Sequence, residues 1–243
     1  MIFDRARDLA ISLLYPQGCK ICGKLIENSD DGVACGDCWR QTHIFSGDEI
    51  LCGKCGALLG TQGGPLAVRC HRCDEQHFDH AKAIGVHEFA LAASINHLKR
   101  YPDIPKHLRN LIESCSATLP FTNIDLLMPV PLSSQRLLER GFDQALLIAR
   151  IAAKMLDLPI DGHSLSRTRH TPVHRVGMDR KARELTLNNV FDVVRPKLIA
   201  GRNILLVDDV FTTGATTSAC AAALKKAGAA SVNVFTLARA VLN

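Results

Sequence analysis

Eight of the ten cysteines in this 243-residue chain fall as four Cys-x-x-Cys pairs before residue 74: Cys19/Cys22, Cys35/Cys38, Cys52/Cys55 and Cys70/Cys73. The intervening stretches are 12, 13 and 14 residues long. Two cysteines three positions apart can turn both sulfurs toward one ion, and two such turns complete the tetrahedral thiolate shell that zinc favours. Four pairs therefore suit two sites of four cysteines each. A closed all-cysteine shell has no open position, so the role expected of the metal is structural. Taken as units, the knuckles can pair in three ways. Consecutive pairing closes the shortest loops at least entropic cost and is favoured on that ground. Gly23, Gly36, Gly53 and Gly56 follow the knuckles and suit turns whose amides point at the sulfurs. His43, His71, His77 and His80 are alternative ligands, read here as surface residues.

Only Cys115 and Cys220 follow residue 73, and the charge is just as lopsided. Residues 1–80 hold 8 Lys+Arg against 11 Asp+Glu, and residues 81–243 hold 21 against 13. The expected organisation is an N-terminal helix and double zinc module over 1–80, then an α/β domain over 81–243 whose net charge of +8 suits phosphates. There is no run of eighteen apolar residues, so a membrane span is not expected. Met1–Tyr15 places Ile2, Phe3, Ala6, Leu9, Ala10, Leu13 and Leu14 at helical spacing, while Asp4, Arg5, Arg7 and Asp8 break any signal-peptide core. A cytoplasmic chain with reduced thiols is the expectation, and there cysteine pairs read as metal ligands before disulfides.

Strands are predicted over Ala81–Phe89, Asp125–Val130, Asn189–Val194, Asn203–Val207 and Ser231–Ala238. Helices are predicted over Leu91–Lys99, Pro105–Cys115, Phe142–Leu156 and Thr213–Ala227. Strand and helix in alternation imply a parallel sheet with right-handed crossovers. Ser166–Arg183, with six basic residues against one acid, reads as a long loop.

The richest chemistry lies in Ile204–Thr217. An apolar strand ends in Asp208 and Asp209, and a turn with Thr212, Thr213 and Gly214 leads through Ala215, Thr216 and Thr217 into a helix. Such a turn offers unpaired backbone amides and the positive end of a helix dipole to a phosphate. Adjacent carboxylates beside it suit vicinal hydroxyls. A sugar phosphate with a free diol satisfies both halves. The segment is not a P-loop, because Gly-x-x-x-x-Gly-Lys is absent.

This segment resembles the 5-phosphoribosyl-1-pyrophosphate (PRPP) motif of type I phosphoribosyltransferases. The resemblance implies that Asp208 and Asp209 hold the ribose hydroxyls. It also implies that Thr212–Thr216 hold the 5′-phosphate, with Thr217 assisting, and that Mg²⁺ arrives largely with PRPP. Three more segments narrow the match: Met128-Pro-Val-Pro-Leu-Ser133; Arg136 with Arg140-Gly-Phe-Asp-Gln-Ala145; and Arg167-Thr-Arg-His-Thr-Pro172 with Asn188-Asn-Val-Phe191. Together they are similar to the ComF (ComFC, GntX-like) competence family over nearly the whole chain. The resemblance implies a type I phosphoribosyltransferase fold with an N-terminal zinc ribbon module, and a part in handling transforming DNA after uptake. By position, Pro131, Leu132 and Ser133 match the pyrophosphate loop, with Arg136 and Arg140 supplying charge. Arg167, Arg169, Arg175 and Arg180 fall where such enzymes carry a flexible loop, and Lys99 is a further candidate near the site. The chain begins Met1-Ile2-Phe3, without the N-terminal cysteine of glutamine-dependent amidophosphoribosyltransferases, so glutaminase activity is not expected.

Two function classes follow. One is Mg²⁺-dependent phosphoribosyl transfer to an unidentified acceptor, a salvaged nucleobase among them. The other is a non-catalytic PRPP-sensing module that holds single-stranded DNA or competence proteins through its basic surface. With 2 Tyr and 1 Trp, a stacking platform for DNA has little to build on.

Overall fold

A computed structural model describes residues 16–61, 68–168 and 190–241. The helix expected over 1–15, and Arg169, Arg175 and Arg180, lie outside the described residues. The first ribbon carries helix α1 (Gly36–Gln41). The second carries the antiparallel pair β1 (Ile50–Leu51) and β2 (Leu58–Gly60). A four-stranded parallel sheet follows, ordered β3-β8-β7-β4, from β3 (His80–Val86), β8 (Ser231–Arg239), β7 (Asn203–Phe211) and β4 (Leu126–Pro129). The run Ile204–Val207 is buried throughout because both faces of β7 are covered, as parallel strands require.

Helices α2 (Phe89–Leu98), α3 (Lys106–Ala117) and α5 (Gln144–Leu156) pack on one face, where Leu91, Ile95, Leu108, Ile112 and Ile148 meet Leu205, Val207 and Phe235. On the other face, Cys220 and Leu224 of α6 (Ala215–Lys226) meet Ile204, Leu206, Val232 and Val234. A small hairpin of β5 (Leu165–Arg167) and β6 (Phe191–Val193) joins this second face. Among the described residues no helix is long and apolar enough to cross a membrane.

The two ribbons do not form a separate body with metal in place of a core. Cys35, Cys38 and Trp39 belong to the first core, while Cys52, Cys55, Cys73 and Phe78 belong to the second, so the ribbons straddle the sheet. The linker between them runs antiparallel along the outer edge of β3, with Ile44 opposite Gly85. Phe45 N donates to Ile84 O and Val86 N to His43 O, each at 2.9 Å. Residue 85 must be glycine, because a Cβ there would lie 2.4 Å from His43 O.

Four sequence expectations change. Strand β7 continues to Phe211, so Asp208 and Asp209 lie inside it; it is β4 that stops short, pairing with β7 only as far as Val207. Helix α6 starts at Ala215, not Thr213, because Gly214 at φ 82° is its left-handed N-cap. Ser166 and Arg167, read as loop, are strand. Between Ser133 and Gly141 a short helix, α4 (Ser134–Arg140), was not foreseen; Ser133 Oγ caps it by accepting from Arg136 N at 3.4 Å, and Gly141 at φ 76° ends it.

Candidate functional site

The zinc sites follow the favoured consecutive pairing. The sulfurs of Cys19, Cys22, Cys35 and Cys38 lie within 4.8 Å of one another, and so do those of Cys52, Cys55, Cys70 and Cys73. Four sulfurs held about 2.3 Å from one zinc stand about 3.8 Å apart. The structure has Cys19–Cys38 at 3.7 Å, Cys22–Cys35 at 3.6 Å, Cys52–Cys73 at 3.6 Å and Cys55–Cys70 at 3.5 Å, so both shells fit the ion. Against the effect of burial, backbone amides of Cys22, Cys35 and Ile21 bring the Cys19 thiol down to about 6, as the knuckle turns imply. Burial, then the crowded sulfurs, pushes Cys38 and Cys73 up. A bound cation is what lets all four ionise together. His71, His77 and His80 are exposed, as expected. His43 is not a plain surface residue: its Nε2 lies 2.9 Å from Oε1 of buried Glu49.

The second cluster sits where β7 outruns β4. Asp209 is 8% exposed, and its Oδ2 meets Lys99 Nζ from the end of α2 at 3.3 Å. Gln144 Nε2, at the start of α5, donates to the same oxygen at 3.5 Å, and Arg140 NH1 donates to Gln144 Oε1 at 2.7 Å. The structure thus brings Lys99, Arg140 and Asp209 together from three segments, with Gln144 as the bridge that sequence reasoning missed. Asp208 is half-buried beside them. Asp143 caps α5 by accepting from Ala145 N at 2.8 Å and Leu146 N at 3.3 Å, and the backbone of Leu132 also bonds to it, which ties the Pro131–Ser133 loop to this cluster.

Three carboxylates against the Lys99 ammonium and the more distant Arg140 guanidinium leave excess negative charge. Burial, then Asp209, pushes Asp208 well above its ordinary value; Asp143 adds to this, while Lys99 opposes it. Asp143 is raised by burial and, in part, by Asp209. Burial and the Lys99 charge hold His87 low, and its buried Nε2 has no hydrogen-bond partner. Asp143 fell within the matched segment Arg140–Ala145 without a role of its own, and nothing in the local sequence singled out His87.

The turn after β7 matches its expected chemistry in part. Thr212 is exposed, and Thr213 and Thr216 are half-buried. Thr217 is 2% exposed and its hydroxyl donates to Gly214 O at 3.0 Å, so it serves the turn itself. A Cβ on Gly214 would strike the Phe211 ring at 2.6 Å, so close packing as well as φ requires glycine. Arg136 and Arg140 sit on α4, not in a loop, and Arg167 lies on β5 over the Phe191 ring at 5.5 Å. Beside the sheet, the segment after the second ribbon grips helix α6: His77 N donates to Ser218 Oγ at 3.0 Å, and Lys225 pairs with Asp79 at 2.7 Å.

Two family models describe the class. One, a double zinc ribbon domain, matches residues 10–75, and the other, a phosphoribosyl transferase domain, matches residues 142–240. The molecule is therefore a phosphoribosyltransferase-fold protein with a double zinc ribbon. Among full-length relatives, it is 40% identical over 223 residues to competence protein ComFC of Bacillus subtilis (strain 168), covering 83% of this chain and 89% of that one. It is 30% identical to competence protein F of Haemophilus influenzae (85% and 90% covered) and 30% identical to DNA utilization protein YhgH of Escherichia coli K12 (93% and 99% covered). The chain belongs to the ComF family.

Proposed function

We propose that this chain binds PRPP with Mg²⁺ in the cleft where β7 outruns β4, as a cytoplasmic protein that handles transforming DNA. The observation that carries the reading is the cluster of Asp208, Asp209 and Asp143 beside the hydroxyl-rich turn at the N-terminus of α6. Asp208 and Asp143, pushed toward protonation by burial and by neighbouring carboxylates, are poised to be relieved by a cation or by hydroxyl donors. Asp208 and Asp209 accept from the ribose diol. The amides and hydroxyls of Thr212, Thr213, Gly214, Ala215 and Thr216 receive the 5′-phosphate, where the helix dipole favours anions. Pro131, Leu132 and Ser133 face the pyrophosphate, with Arg136 and Arg140 as cations for the departing charge. Mg²⁺ supplies charge neutralisation to the pyrophosphate when bound, and the carboxylates fit it. Residues 1–80 serve as the zinc module and 81–243 as the phosphoribosyltransferase domain. A DNA-handling role draws support from the names of the relatives and from the net charge of +8 over 81–243, with Arg167 and the basic segment after it as the phosphate contacts.

Calorimetry with PRPP and Mg²⁺ tests the pocket. Wild type should bind, and Asp208→Asn with Asp209→Asn should abolish measurable binding; unaltered binding would refute the assignment. The same variant carries a pH signature. Because the Asp208 pKa is raised in the fold, the folded state holds its proton longer than the unfolded chain, and stability falls as pH rises above the ordinary carboxylate range. Asp208→Asn alone should therefore raise the neutral-pH melting temperature of the ligand-free protein by about 2–4 °C.

A further inference from the structure

One buried side chain joins the second thiolate cluster to the turn after β7. Arg239, the last residue of β8, is the register partner of Phe211, the last residue of β7. Register partners on adjacent strands project to the same face of a sheet, and the Arg239 guanidinium lies over the Phe211 ring at 4.0 Å. Arg239 is 7% exposed, and NH2 donates to Cys55 Sγ at 3.4 Å. Nε and NH1 have no hydrogen-bond partner among the described residues, so no carboxylate is bonded to this guanidinium there. A buried cation needs a counter-charge. Four thiolates around one divalent ion leave two negative charges in excess, so the loaded cluster is the anion that Arg239 touches. A hydrogen bond from outside the shell orients a ligating sulfur and tunes the hold on the metal.

The other face of the contact leads to the phosphate turn. Phe211 is 3% exposed and meets Phe78 edge-on at 5.5 Å. Its ring closes the space over Gly214, where a Cβ would lie 2.6 Å from the ring and 3.0 Å from Gln76 Oε1. Gly214 is the N-cap of α6, so the ring and the buried Gln76 side chain set the level of the backbone to which the 5′-phosphate is assigned. We propose that Arg239 is a positioning residue shared by two sites: its NH2 holds the Cys55 thiolate of the second cluster, its flat face holds Phe211 against Gly214, and occupation of either site steadies the other. The phosphate half rests on the PRPP reading, and the zinc half does not. Such coupling is reciprocal: the factor by which the second zinc strengthens PRPP binding is the factor by which PRPP strengthens that zinc. The first cluster has no part in it, because its neighbours Trp39 and Thr42 lead to His107 and Ala90.

The test titrates zinc out of the full chain with a colorimetric chelator, with and without PRPP and Mg²⁺, and follows PRPP by calorimetry on the same zinc-loaded protein. In the wild type, PRPP should raise the affinity of one of the two ions by about fivefold or more and leave the other unchanged. Arg239→Met should weaken that same ion by about tenfold or more and remove the PRPP effect. Arg239→Lys, which keeps the charge, should recover part of the lost zinc affinity. Phe211→Leu leaves the bond to Cys55 in place, so it should keep the zinc affinity and lose the PRPP effect, a split that a merely structural role would not produce. Unchanged zinc affinity in Arg239→Met, or equal protection of both ions by PRPP, overturns the inference and leaves the PRPP reading standing. Absence of PRPP binding in the wild type overturns that reading together with the phosphate half, and zinc retention in Arg239→Met then decides the zinc half alone. Should Arg239→Met fail to fold, Phe211→Leu decides: an undiminished PRPP effect on zinc overturns the coupling.

Discussion

The two zinc ribbons use the same four-thiolate chemistry and grip opposite faces of one sheet, yet they hold different things. The first is fixed to helices α2 and α3 on the far side from the turn after β7. Trp39 stacks on His107 at 4.3 Å, Lys106 pairs with Asp30 at 2.8 Å, and Thr42 Oγ1 accepts from Ala90 N at 3.0 Å. The second is fixed to the candidate site. Cys55 takes a bond from Arg239, Lys54 Nζ donates to Gln76 O at 2.8 Å, and His77 holds the start of α6. One ribbon buttresses the helices on one face, and the other holds the end of β8 and helix α6, whose N-terminal turn carries the phosphate assignment. Identical metal sites thus differ in consequence through their neighbours.

The largest effect separating them should come from the ligands themselves, since structural zinc contributes an apparent ~10–16 kcal/mol to small zinc modules. Cys73→Ser, at a position 2% exposed, and Cys22→Ser, at an exposed one, should each cost about one zinc per chain by metal analysis. Cys73→Ser should also abolish PRPP binding, which Cys22→Ser should spare; equal loss in both would erase the distinction.

Next in size is the linker. Glu49 is buried, which alone would raise its pKa, but His43 and the amides of Ser46 and Gly47 bring it from 4.5 down to about 2. A depressed carboxylate contributes stability above its ordinary value that is lost as pH falls toward about 2. Glu49→Gln should cost about 1–3 kcal/mol at pH 7. It should also remove the part of the acid slope between 4.5 and about 2, as followed by urea titration across pH. An unchanged slope would mean that the linker does not couple the ribbons. Smallest are the outer ion pairs. Lys106→Ala on the first ribbon and Lys225→Ala on the second should each cost less than about 1 kcal/mol in thermal melts. Lys225 should sit at the upper end, because Asp79 also accepts from Val232 N at 2.8 Å.

What could be read in advance follows from how local the signal is. Knuckle pairing was legible because spacing and loop length act along the chain. Strand β7 was legible because Ile204–Val207 is apolar on both faces. Helix α4 was missed because seven polar-rich residues after Pro129 and Pro131 carry too little periodicity, with only the Ser133 cap and Gly141 to mark it. Its consequence was larger than its length, since it moves Arg140 onto Gln144. Gln76, His87, Gln144 and Arg239 are single polar residues from separate segments. Their meaning exists only after the sheet and the second ribbon bring their side chains within bonding distance, and no residue-by-residue reading contains that information.

Gly85 and the linker opposite it also bear on how the molecule behaves in a crowded solution. The outer rim of β3 would otherwise offer a row of free N–H and C=O groups, a template onto which any extended chain could add. The segment between the ribbons occupies that rim, and both of its ends are anchored by thiolate clusters. Stripping metal from those clusters is expected to loosen the linker and expose that border, so that a chelator-treated protein self-associates, as light scattering would register, before its central strands come apart.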